Sequence, residues 1–279
     1  MKIKRKIEIV VISDVHLGST QCHAKHLLNY LNSIEPKKLI LNGDILDISQ
    51  FSKRYFPKSH LKVIKKIMTM TTDGVDVVYI TGNHDEMIRK FTGTTIGNIR
   101  IVDKLVLELH GKHAWFFHGD VFDVSLQNAK WLAEFGSYGY HALNRLNQLV
   151  NWYLVNRGKE RYSFSKKLKN NKKSAAKYSR IYEKVISNLA IENGYDYVIC
   201  GHIHQPKMAY IETNHGKTIY LNSGDWVENF TALEYQFKRW KVYHYKKDKR
   251  SPFFIDNELK AKDNNRLIAA ITIIDQTSK

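Results

Sequence analysis

The chain has 279 residues, 43% of them hydrophobic, with a formal net charge of +17 and a pI near 9.6. That supports one full core carrying a large insertion, rather than two separate domains. It has no run of eighteen or more apolar residues, which excludes an α-helical membrane span, and its basic excess calls for an anionic partner.

The basic start, Met1 to Lys6, has the charge of a signal peptide. The apolar run Ile7–Ile12 is too short for an h-region, however, and leads directly into Ser13-Asp14-Val15-His16. It reads as a first core strand, Ile7–Ser13, and the cytoplasm is the expected compartment. Ala24–Ile34 has helical periodicity, Lys38–Asn42 is strand-like and ends at Gly43-Asp44, and Ser59–Met70 is again helical. A third strand, Val75–Thr81, ends at Gly82-Asn83-His84-Asp85. This β-α-β-α-β order predicts right-handed crossovers and a largely parallel first half.

Arg100–Leu109 and His113–His118 flank His110-Gly111-Lys112 as a hairpin, and the second arm ends at His118-Gly119-Asp120. Lys207–Thr213 and Lys217–Leu221 flank Asn214-His215-Gly216 as another, with Thr231–Gln236 and Trp240–Tyr245 continuing the β pattern. Parallel pairing early and antiparallel pairing late predicts an α/β (α+β) chain of two packed mixed β-sheets flanked by helices. Of the cysteines, Cys22 follows the first acidic loop and Cys200 precedes Gly201. No disulfide is expected, and Cys200 reads as a small buried residue.

The polar residues after these strands have one chemistry in common. Asp14, His16, Asp44, Asn83, His84 and His118 each follow an apolar run, and Gly201-His202-Ile203-His204 closes the set. Strand ends of one sheet lie side by side, so residues distant in sequence can converge there. Two divalent cations held close together need a bridging carboxylate, for which Asp44 is placed, with imidazoles and an amide to complete each shell. This mixture of nitrogen and oxygen donors without thiolate suits Mn2+ first, then Fe or Zn2+. Such a pair lowers the pKa of a shared water toward neutrality, which points to hydrolysis at phosphorus. Taken singly, Asp-x-His or Gly-Asp is an ordinary turn signal; the ordered set is not.

In this order and spacing, over residues 7 to 236, the chain resembles the calcineurin-like metallophosphoesterases. The resemblance implies one metal held by Asp14, His16, Asp44 and His204, and a second held by Asp44, Asn83, His118 and His202. It implies that His84 stays off the metals and faces the scissile phosphate as proton donor or electrostatic support. A narrower similarity, carried by Ser13–Gly18, the insert after His118 and Gly201-His202-Ile203-His204-Gln205-Pro206, is to the UDP-2,3-diacylglucosamine hydrolases of lipid A synthesis. Those enzymes cleave a pyrophosphate and release UMP. Their best-known members carry Arg where this chain has His84.

The resulting organisation is a metallophosphoesterase core at 1–124 and 194–245, a helical cap insertion at 125–193 and a basic tail at 246–279. The insertion has an apolar helical face between Trp131 and Val155. Ten Lys or Arg then face a single acid, Glu160, between Arg157 and Arg180. One reading packs helices on the sandwich with a solvated charge run between them. The favoured reading is a cap that binds acyl chains on one side and phosphate on the other, with Lys166, Lys169 and Lys173 as substrate contacts beside Asn83 and His84.

The expected partners are a UDP-linked acylated sugar and an anionic membrane surface, and the tail's apolar Leu267–Ile274 is an edge strand or a membrane segment. A dimetal phosphodiesterase or nuclease acting on nucleotides or nucleic acid is the alternative; a binding module that has lost its metals is weaker, since every ligand position is filled. Asp85 and Asp120 are candidates to orient an imidazole, or else to cap turns or form a surface salt bridge. Asn222-Ser223-Gly224-Asp225 is a candidate pocket lining, and His23, His26 and His60 are expected at the surface.

Overall fold

Strand β1 (Arg5–Ile12) shows why two sheets form. Ile9 and Val11 point to one environment and Val10 and Ile12 to the other, and all four are buried. A strand buried on both faces must lie inside a layered structure. The computed structural model describes residues 3–47, 56–123, 172–255 and 259.

Helix α1 (Ala24–Ser33) leads directly into β2 (Ile34–Asn42), and α2 (Lys58–Thr72) into β3 (Asp76–Ile80). Both helices put an apolar stripe, Leu27, Leu28 and Leu31 or Val63, Ile67 and Met70, on the Val10–Ile12 face of the sheet. After a single helical turn, α3 (Glu86–Arg89), come β4 (Thr95–Ile96) and β5 (Ile99–Val102). Strands β1, β2, β3 and β5 are parallel neighbours. With β4 at one edge and β11 (Thr231–Gln236) and β12 (Arg239–His244) at the other, they form a seven-stranded sheet.

The expected single strand Arg100–Leu109 is instead two strands in two sheets. It breaks at Asp103, whose Oδ1 accepts the Thr81 hydroxyl at 2.8 Å and the Thr92 hydroxyl at 3.2 Å. Beyond the break, β6 (Lys104–Leu109) pairs with β7 (Lys112–Phe117) in the second sheet. Their turn places His110 and Gly111 at φ of 54° and 77°, the left-handed pair that a tight hairpin needs.

Helix α4 (Lys172–Glu192) crosses back over this sheet, so β8 (Tyr197–Cys200) enters parallel to both β7 and β10 (Gly216–Asn222). The late half is therefore mixed, not purely antiparallel: among the described residues β6 pairs antiparallel with β7, and β9 (Lys207–Thr213) with β10. Phe116 and Ile199 face the first sheet, whereas Trp115, Phe117, Val198 and Cys200 face Tyr182, Ile186 and Ala190 of α4. The order of layers is helices, seven strands, five strands, helix.

Within the expected insertion, the described part of α4 thus packs on the sandwich. Leu259 of the tail is likewise buried in the α1–α2 layer. Trp131, Trp152, Lys166, Lys169 and Leu267–Ile274 lie outside the described residues, and Lys173 falls in the first turn of α4. Among the described residues no helix is long and apolar enough to cross a membrane.

Candidate metal centre

The carboxyl ends of β1, β2, β3, β7 and β8 meet along one rim, where open parallel sheets place their ligands. There the structure gathers three groups whose donor atoms lie within 4.8 Å of one another: Asp14, His16 and His204; His16, Asp44 and His84; and Asp44, His118 and His202. Asn83 sits beside them in the same loop as His84. Five of these residues leave their strands with left-handed backbone, at φ of 51° for Asp14, 54° for His16, 53° for Asp44, 66° for His202 and 54° for His204. Such turns cost about 1 kcal/mol or more each, and they aim side chains along the rim instead of across the sheet.

Each carboxylate is anchored by one oxygen and offers the other. Asp14 Oδ2 accepts the His202 backbone N–H at 3.0 Å, leaving Oδ1 3.1 Å from His204 Nε2. Asp44 Oδ1 accepts the His84 backbone N–H at 2.8 Å, leaving Oδ2 3.3 Å from His118 Nε2. His118 Nδ1 donates to the Asn42 carbonyl at 2.9 Å, so that in the neutral ring the lone pair lies on Nε2. Asp14 Oδ1, His16 Nε2, Asn83 Oδ1 and His118 Nε2 are buried without a hydrogen-bond partner. A buried polar atom left this way is costly unless something else coordinates it. Two carboxylates, an amide oxygen and four imidazoles are a donor set that fits two divalent cations. The His204 and His84 side chains are 26% and 21% exposed, so the centre opens on their side.

The carboxylates and imidazoles at this rim shift one another strongly. Burial disfavours charge on His118, yet the adjacent Asp44 carboxylate holds its pKa well above normal. Burial likewise opposes the charge of Asp44, but His118, His84 and His16 hold the carboxyl well below its usual range. His202 and His204 are raised against burial by Asp123 and Asp14. Imidazoles must lose protons to coordinate, so cation binding here weakens as pH falls.

The two readings of the second-rank acids are now decided. Asp85 takes the capping role and not the imidazole, accepting the backbone N–H groups of Ile45 and Leu46 at 3.2 and 2.9 Å. Burial, with the nearby Asp44 charge, pushes its pKa up to about 7. Asp120 is paired with Arg89 at 3.0 Å. Besides Asp14 and Asp44, Asp47 and Asp123 face imidazoles at the rim, and neither was singled out from sequence. Asp47 lies 3.5 Å from His16 Nδ1 and 3.2 Å from His84 Nδ1, and Asp123 lies 2.7 Å from His202 Nε2. The spacing Gly43-Asp44-Ile45-Leu46-Asp47 was the available signal. Asn222 and Asp225 brace the loops, with Asn222 Nδ2 donating to the Gly201 carbonyl at 2.7 Å and Asp225 Oδ1 accepting the Val227 N–H at 2.8 Å.

His23 is exposed and His26 half-buried, but His60, expected at the surface, is 2% exposed. Its Nδ1 accepts the Gly18 N–H at 2.9 Å and ties the loop after His16 to α2. Burial lowers the His60 pKa, so the folded state favours the neutral ring. Above the unfolded pKa of about 6.5 this costs nothing. As pH falls below it the unfolded chain takes up the proton first, and stability is lost. Urea midpoints between pH 7.5 and 5 should therefore fall more steeply for the wild type than for His60→Gln. Parallel curves would remove His60 from the pH response.

Fold and rim together define a metal-dependent phosphoesterase. Residues 7–206 match the calcineurin-like phosphoesterase family, and the chain belongs to that family. Curated relatives include the UDP-2,3-diacylglucosamine hydrolase of Aliivibrio fischeri, 24% identical over 84% of this chain and 97% of that protein. The protein of the same name from Marinobacter nauticus is 26% identical over 80% of this chain and 91% of its own length. Among solved structures, an archaeal phosphodiesterase is 14% identical and covers 85% of this chain and 98% of that one, with a TM-score of 0.41.

Proposed function

We propose that this phosphoesterase cleaves the pyrophosphate of UDP-2,3-diacylglucosamine to UMP and the lipid monophosphate. The supporting observation is that relatives bearing that name align over nine-tenths of their own length. Asp14, His16, Asp44 and His204 would hold one divalent cation, and Asp44, Asn83, His118 and His202 the other, with Mn2+ favoured and Fe or Zn2+ next. When bound, such a pair supplies positive charge at the phosphoryl oxygens and eases deprotonation of water near neutral pH.

The chain's own groups do the rest. His84 Nδ1 is engaged by Asp47, which leaves Nε2 of this partly exposed ring for the substrate. Burial opposes charge on this ring, but the Asp47 contact and the Asp44 charge raise its pKa to about 9. That environment favours the protonated ring, which is suited to stabilise the leaving phosphate or donate to it. Lys166, Lys169 and Lys173 would contact the pyrophosphate. The net charge of +17 suits an enzyme working against an anionic membrane surface from the cytoplasmic side.

The test is product analysis of Mn2+-loaded protein with UDP-2,3-diacylglucosamine in detergent. Metal-dependent release of UMP is the expected result. No UMP, together with cleavage of bis-p-nitrophenyl phosphate, would keep the phosphoesterase and replace the substrate. The positive charge then favours a phosphodiesterase acting on nucleotides or nucleic acid. His84→Ala should lower turnover about 10²- to 10⁴-fold with metal content unchanged. Loss of metal from that variant would contradict its place off the cations.

A further inference from the structure

We propose that Asp123 is a positioning residue for His202, and that Tyr178 of α4 holds Asp123 to that task. The inference rests on the reading of His202 as a cation ligand. One oxygen, Asp123 Oδ1, receives both His202 Nε2 at 2.7 Å and the Tyr178 hydroxyl at 2.6 Å. Asp123 and His202 are 4% and 3% exposed, so water competes little for either bond. A carboxylate on Nε2 demands a proton there and leaves Nδ1 as the only lone-pair donor of the ring.

The backbone alone does not achieve this. His202 has a left-handed φ of 66°, and its N–H is anchored on Asp14, which places Cβ but leaves the ring free to turn. Asp123 removes that freedom. Asp120, three residues earlier, is not available for the role because Arg89 occupies it. Tyr182, one turn beyond Tyr178, lies with its ring 6.5 Å from the His202 ring and closes the same side. The packing of α4 on the second sheet is thereby connected to one ligand of one cation.

The experiment titrates metal-free protein with Mn2+ alone, followed by calorimetry and by the Mn2+ electron paramagnetic resonance signal. Wild type, Asp123→Asn and Tyr178→Phe are compared, with circular dichroism to check the fold. Asp123→Asn should weaken one of two ions about 10- to 100-fold and leave the other unchanged. Tyr178→Phe should weaken the same ion by a smaller factor. Two ions at wild-type affinity in Asp123→Asn would overturn the proposal, and so would equal weakening of both ions with a lowered melting temperature. If Asp123→Asn does not fold, Tyr178→Phe decides, and wild-type affinity for both ions there rejects the coupling. A wild-type chain that binds no Mn2+ would sink the underlying reading, and this appears before any variant is compared.

Discussion

Asp44→Asn should lower turnover by about a thousandfold or more, equivalent to roughly 4 kcal/mol of lost transition-state stabilisation. The substitution is nearly isosteric, so it separates charge from shape. An amide oxygen at this position still accepts the His84 N–H that Asp44 Oδ1 now takes at 2.8 Å. What disappears is the negative charge facing His118 Nε2 at 3.3 Å, at the point shared by two of the three donor groups. Two cations placed there repel each other unless an anion lies between them. Steady-state kinetics beside metal analysis checks this, and the variant should hold fewer ions than the wild type. A rate within tenfold of wild type, with two ions retained, would mean that Asp44 is not the shared ligand.

The second large effect is steric. In Gly82→Ala, the new Cβ would overlap Asp44 Oδ1, and it would lie 2.6 Å from the Asp44 backbone nitrogen and 2.9 Å from His118 Cδ2. A side-chain tip can move aside, but a backbone nitrogen at the end of a core strand cannot without shifting β2 or β3. Overpacking of this kind costs about 1–3 kcal/mol. The activity loss should exceed what that destabilisation explains, about a hundredfold, because a displacement approaching 1 Å among ligands disrupts the geometry of reaction. Thermal melting and kcat measured on the same preparation test both parts. A variant that melts and turns over like wild type would show that the two loops do not approach this closely in the working protein.

How much of this was legible beforehand depends on how far each interaction reaches along the chain. The apolar runs ending at Ser13, Asn42, Thr81, Phe117 and Cys200 announce buried strands, and the acids, amide and imidazoles just beyond them announce chemistry at strand ends. Both signals are local, since a strand alternates every two residues and its loop follows at once. The hairpin at His110-Gly111 was legible for the same reason. The break at Asp103 was not, because an unbroken β pattern runs through it. The hydroxyls that hold it belong to Thr81 and Thr92, whose approach exists only after β3 and α3 are placed.

From the sequence alone came the β-α-β-α-β order of the first half, the family resemblance and the candidate residues at the strand ends. Only the tertiary structure decided which carboxylate serves which ring. Asp85 turned out to cap backbone, Asp120 to neutralise Arg89, Asp47 to face His16 and His84, and Asp123 to take His202 from 79 residues away. It also buried His60 against Gly18, 42 residues distant. These choices turn on hydrogen bonds of about 3 Å between segments brought together by the packing of two sheets, and neither composition nor periodicity carries information at that range.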